Sequence, residues 1–121
     1  MDDPVATLQL IEVWPNGRRV PAQVQIGKPF RETDGSWACP ILVTTVNEKI
    51  RHIRGEDSMQ ALCLGVQFAG QMLQLVVDRG GRLLCAGEGA DDGDFPINAF
   101  FGDEPAAGGN AHWLGVPQPD R

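Results

Sequence analysis

The chain has 121 residues with ten Lys or Arg against sixteen Asp or Glu, a net charge of −6. That length fits one domain and is short for two. The acidic balance argues against nucleic acid as ligand, because a phosphate backbone is held by clustered Lys and Arg.

Residues 5–13 are rich in β-formers and end at Trp14-Pro15-Asn16-Gly17, where Asn-Gly offers the positive φ angles of a tight hairpin. The second arm alternates, with Val20, Ala22, Val24 and Ile26 on one side and Arg19, Gln23 and Gln25 on the other, so one face is core and one is wet. A loop around Lys28-Pro29 and Thr33-Asp34-Gly35 leads to residues 37–46, apolar at nearly every position as in a central strand covered on both faces. Asn47-Glu48 turns the chain into residues 49–54, whose Lys49, Arg51 and Arg54 suit an exposed edge that resists sheet-to-sheet pairing; the same cations could meet an anion.

Gly55-Glu56-Asp57-Ser58 introduces a helix, with Asp57 as cap and Gln60 completing a capping box, and Arg79-Gly80-Gly81 ends it. At helical spacing Met59, Leu62, Cys63, Val66, Ala69, Leu73, Val76 and Val77 make a core-facing stripe. A second stripe of Leu64, Phe68, Met72 and Leu75 lies opposite, with Gln60, Gln67, Gln71 and Gln74 in a polar sector between them. The helix therefore needs cover on two sides, from the Phe95–Phe101 stretch or from a homodimer through the second stripe. No charge falls between Asp57 and Asp78, yet four glutamines and two glycines argue against a membrane span. Residues 82–86 read as a returning strand.

The expected architecture is α+β: a mainly antiparallel twisted sheet, β-β-β-β-α-β, with one long helix across one face. Residues 1–87 form the core domain and 88–121 an acidic Gly- and Pro-rich segment partly packed on it. Charge divides at the same place. Nine Lys/Arg balance nine Asp/Glu through Gly87, so the whole net charge sits beyond it. Asp91, Asp92, Asp94, Asp103 and Glu104, interleaved with Phe95, Phe100 and Phe101, read as a partner-binding surface in which acids steer and aromatics anchor. The competing reading is a solubilising acidic tail.

Catalytic signatures are thin. Only His52 and His112 could move protons near neutral pH, and Cys39 with His52 on a neighbouring strand could be written as nucleophile and base. Cys39, Cys63 and Cys85 are odd in number, widely spaced and set among apolar residues, which predicts buried reduced thiols rather than a disulfide framework or zinc site. Asp91-Asp92-Gly93-Asp94 lacks the alternating ligands and terminal Glu of a calcium loop, and Gly87-Glu88-Gly89 lacks a following helix to bind phosphate. No metal or cofactor is expected, and no catalytic residue. Met1-Asp2-Asp3-Pro4 has the wrong chemistry for the start of a secretory signal, so the expected location is the cytoplasm.

At Trp37-Ala38-Cys39-Pro40 and Gly55-Glu56-Asp57-Ser58-Met59-Gln60-Ala61-Leu62, the chain resembles a family of small bacterial proteins of unknown function. That family pairs a W-x-C-P strand with a G-x-D-S-x-Q-A-L helix start, and the resemblance covers about residues 20–87. Such small acidic proteins look like some immunity proteins of bacterial toxin systems. The resemblance implies fold more than activity; joined to the acidic segment, which lies outside it, it leads to the expectation of a non-catalytic protein that binds and neutralises a toxin domain with a basic surface. Two alternatives stand beside it: a secretion chaperone or adaptor holding an apolar client segment on the second helix stripe, and a cysteine-dependent enzyme.

Overall fold

The computed structural model describes residues 1–44, 49–86 and 94–101, and the expected α+β arrangement is present. Strands β1 (Ala6–Val13) and β2 (Arg19–Ile26) form the N-terminal hairpin, in register from Ala6 opposite Ile26 to Val13 opposite Arg19. Its turn differs from the simplest Asn-Gly type. Among the described residues from Pro15 to Arg18 only Gly17 has a positive φ, at 89°. Pro15 fixes its own φ in the negative range and sets up a turn closed by the Gly17 N–H to the Trp14 carbonyl at 2.8 Å. The left-handed glycine then returns the chain, while Asn16 accepts from the Arg18 N–H through its side chain.

Beyond β2 the chain continues past Gly27 into β3 (Phe30–Arg31), a short strand where the sequence predicts a loop. The turn around Asp34 was legible, and a tight turn closes a hairpin, so the residues before it pair with those after it: Phe30 with Ala38 and Arg31 with Trp37. Strand β4 (Trp37–Val43) thus meets β2 through residues 41–43, β3 through residues 37 and 38, and β5 (Arg51–Gly55) along its other side. The sheet runs β5-β4-β2-β1-β6, with β6 (Arg82–Cys85) antiparallel to β1. Strand β5 is an edge, as its charges suggested, and β4 stops at Val43 rather than Val46, with residues 45–48 outside the described part.

Pro40 sits inside an interior strand, where a missing N–H ought to break the ladder. The break falls where β2 has ended and β3 has not begun, and there the Pro40 carbonyl accepts from the Gly27 N–H at 2.8 Å. A residue's N–H and C=O point to the same side of a strand, so the absent donor faces that gap and leaves the β4–β5 pairing intact.

Helix α1 (Ser58–Asp78) begins as its sequence implies. The Asp57 carboxylate accepts from the Gln60 N–H at 2.7 Å, while the Gln60 side chain reaches back past the cap to the Glu56 N–H at 2.6 Å, one residue before the N–H that the expected capping box engages. It ends in a Schellman motif: Gly80, at φ 99°, donates to Val77, and Gly81 donates to Val76.

The face that α1 turns to the sheet is a correction to the expected stripe. Ala61, Gly65, Ala69, Gly70, Leu73 and Val76 are buried, whereas Met59 is 67% exposed and Cys63 and Val77 also face solvent. The small residues explain the rotation. Ala61, Gly65 and Ala69 form a line along which the helix backbone approaches β4 and β5, so closely that a Cβ on Gly65 would lie 2.9 Å from Ile41 Cδ1. Leu62 on one side and Phe68 and Met72 on the other, all half-buried, straddle this line and complete the core of Leu10, Ala22, Val24, Cys39, Ile41, Val43 and Leu83. Hydropathy spacing weights large side chains; close packing put the small ones at the centre.

Candidate protein-binding site

Residues 94–101 return from beyond β6 and close over the sheet edge and α1. Asp94 bridges to Leu84, and the Phe95 N–H donates to the Leu83 carbonyl at 2.6 Å. The Arg82 guanidinium donates twice to one Asp94 carboxylate oxygen, at 3.0 and 2.8 Å. Both partners are well exposed, which holds that pair to roughly 0–1 kcal/mol. The backbone bridge and the burial of Phe95 therefore outweigh it.

The three phenylalanines take three environments. Phe95 turns inward and is 5% exposed, a member of the main core. Helix α2 (Ile97–Phe101) follows Pro96 and carries Phe101 onto α1, directly over Gly70, where a Cβ would come within 2.8 Å of Phe101 Cβ. Phe100 points away and is 59% exposed, its ring 4.7 Å from that of Phe95 between centroids. The reading of all three as partner anchors is thus corrected in two places: Phe95 is taken up by the core, and Phe101 is half-buried against α1. Phe100 alone of the three is presented. Of the steering acids, Asp94 is exposed but ion-paired, and Asp91, Asp92, Asp103 and Glu104 lie outside the described residues.

Cover of the second helix stripe is also only partly as expected. Phe68 and Met72 pack against the core, Leu75 is half-buried, and Leu64 remains 37% exposed. Phe101 lands on Gly70, which belongs to neither stripe.

Cys39 and His52 are not brought together. Cys39 pairs in register with Ile53 and Pro40 with His52, so the pleat sends the Cys39 thiol toward α1 and His52 to the opposite face, where its ring meets the edge of Phe30. Cys39 is fully buried, directs its thiol at the Gly27 carbonyl 3.5 Å away, and has its pKa raised by desolvation. Cys63, expected to be buried, is exposed, and Cys85 is half-buried; all three are free thiols. The acidic Asp91-Asp92-Gly93 stretch and Gly87-Glu88-Gly89 lie outside the described residues, and among the described ones no three metal-ligating side chains cluster.

The cations of the β3–β5 end are partly committed. Arg54 pairs with Glu32 at 3.2 Å and with Asp34 at 3.5 Å. Hydrogen bonds from the Ser36 hydroxyl and N–H, with Arg54 adding a smaller effect, hold the Asp34 carboxyl below its ordinary pKa. Three features escaped the sequence reading: the Gly70 seat, Arg82 as partner to Asp94, and Glu12, the one charged residue buried among those described. Glu12 accepts from the Trp14 indole N–H at 2.9 Å. Its place on the alternating inward side of β1, after Leu8 and Leu10, was the available signal.

A family described as a domain of unknown function, DUF6968, matches residues 9–97, well over half of the sequence. The chain belongs to that family. The DUF6968 match runs from within β1 to the first residue of α2, so it includes Asp94 and Phe95 and passes the Gly87 boundary drawn from charge. It stops before Phe100 and Phe101. No curated protein and no solved structure matches the chain.

Proposed function

We propose that this protein is a non-catalytic binding protein whose partner is a protein with a basic surface, of the kind a toxin's nucleic-acid- or nucleotide-handling domain presents. On this reading it acts in the cytoplasm as an immunity protein that blocks such a domain. The observation that carries it is the placing of Phe100: 59% exposed on a short helix fastened to the core on either side, by Phe95 and by Phe101 over Gly70. A large aromatic presented to water on a segment fastened at both sides suits an interface anchor, since less conformational freedom is lost when it is covered. The surrounding sequence supplies Asp91, Asp92, Asp103 and Glu104 as steering charge.

The test is capture of the partner from the native cell, followed by association kinetics at two salt concentrations. Phe100→Ala should raise the dissociation rate with little change in association. Asp91→Lys with Asp92→Lys should slow association and flatten its salt dependence. Wild-type rates in both variants would remove this surface from the interface.

A further inference from the structure

We infer that the outward face of α1 pairs with the same face of a second copy of this chain, antiparallel, about a twofold axis passing between Gln67 and Gln71. The inference begins with charge. A surface helix ordinarily carries charged residues on its wet side, yet α1 has none from Ser58 to Val77, although its outer side is open. Gln60, Gln67, Gln71 and Gln74 occupy the sector opposite the Ala61-Gly65-Ala69 line, flanked by exposed Cys63 and Leu64. Depletion of charge with apolar flanks is the composition of an interface centre.

The glutamines are not equivalent. Gln60 is engaged by the Glu56 N–H at the helix start and Gln74 donates to Asp78 at 3.0 Å near its end. The side chains of Gln67 and Gln71, mid-helix, make no hydrogen bond to the described residues. An amide is both donor and acceptor, so a glutamine pair is self-complementary, as an isologous interface requires. The proposed axis sets Gln67 of one copy against Gln71 of the partner subunit. Residues 1–87 balance nine Lys/Arg against nine Asp/Glu, so two such domains meeting through this uncharged face carry no net repulsion. A lipid surface fits less well. Although α1 is long and apolar enough to span a membrane by composition, its polar sector is built of glutamines and holds none of the Lys and Arg that a membrane-surface helix carries there.

The experiment is sedimentation of the full chain over a range of concentrations, with circular dichroism to verify folding. Wild type should dimerise reversibly. Gln67→Lys with Gln71→Lys places like charges in contact and should weaken the dimer about a hundredfold or more; Gln67→Glu with Gln71→Lys places opposite charges there and should keep it. Gln71→Lys alone, at an exposed position, gives the same direction if the double-lysine chain folds poorly. A wild type that stays monomeric throughout overturns the inference, as does a dimer indifferent to the lysines. A monomer that floats with vesicles of zwitterionic and anionic phospholipid overturns it in favour of a membrane.

Discussion

Gly65 and Gly70 lie on the same helix, each buried, and each admits a neighbour too close for any side chain: Ile41 Cδ1 at 2.9 Å from a Cβ built on the first, Phe101 Cβ at 2.8 Å from one built on the second. Yet the two contacts belong to different kinds of structure. At Gly65 the neighbours above and below, Ala61 and Ala69, are also small and buried, and the opposing atoms, of Ile41 and Cys39, sit in β4, a strand paired on both sides. The approach is repeated and cooperative. At Gly70 the opposing element is α2, whose five residues are far too few to be helical alone. Its attachment rests on Phe95, the bridge at Asp94 and this one seat. The first contact should share the global stability of the fold, and the second should open at lower free energy.

Phe95 joins the two regions, so its removal should have the largest effect. Phe95→Ala leaves a cavity in the main core and frees α2, with an expected loss of about 3–5 kcal/mol in urea unfolding. A loss below about 1 kcal/mol, within the range of surface substitutions or just above it, would mean the segment is an appendage to a core complete without it. Gly65→Ala comes next. Overpacking against Ile41 and Cys39, both fully buried, should cost about 1–3 kcal/mol, offset by up to about 1 kcal/mol of improved helix propensity. Ile41→Val deletes the nearest atom, so the double variant should regain part of the loss.

This division also explains what the sequence disclosed. The hairpin, the cap at Asp57, the stop at Gly80 and the edge at β5 rest on local chemistry: turn residues, a capping carboxylate, alternation. All were legible. The face of α1 was not, because Met59, Cys63 and Val77 dominate a hydropathy pattern while Ala61, Gly65 and Ala69 decide how close two elements can come. The three phenylalanines were flagged together as anchors because composition cannot tell which one a core will absorb. Phe95 follows the bridge at Asp94, and strand alternation then turns it inward; that bridge joins residues ten apart, beyond the reach of local pattern.

Capping gives a smaller effect that calibrates the helix itself. Asp57→Ala removes the acceptor for the Gln60 N–H and should cost about 1 kcal/mol. Asp57→Asn should recover most of it, since an amide oxygen accepts the same bond, and failure of that rescue would assign the loss to charge rather than to the cap.

The smallest global effect is expected at Gly70. In Gly70→Ala the new methyl meets Phe101 at its Cβ, so no rotation of the phenyl ring relieves the contact, and the α2 backbone itself must move. The helix meanwhile gains propensity, and the sheet contact lies elsewhere, so urea unfolding should shift by less than about 1 kcal/mol in either direction. The change should appear instead in hydrogen exchange, with amide protection lost at Phe100 while the amides of β4 and of α1 around Gly65 keep theirs. The proposed binding surface depends on the same contact. With Phe101 displaced, Phe100 is no longer held in a fixed place, and the captured partner should dissociate faster although every acid and the Phe100 side chain are present. Unfolding of Gly70→Ala at a cost equal to that of Gly65→Ala would erase the distinction between the two contacts, since α2 would then be as integral to the fold as the sheet.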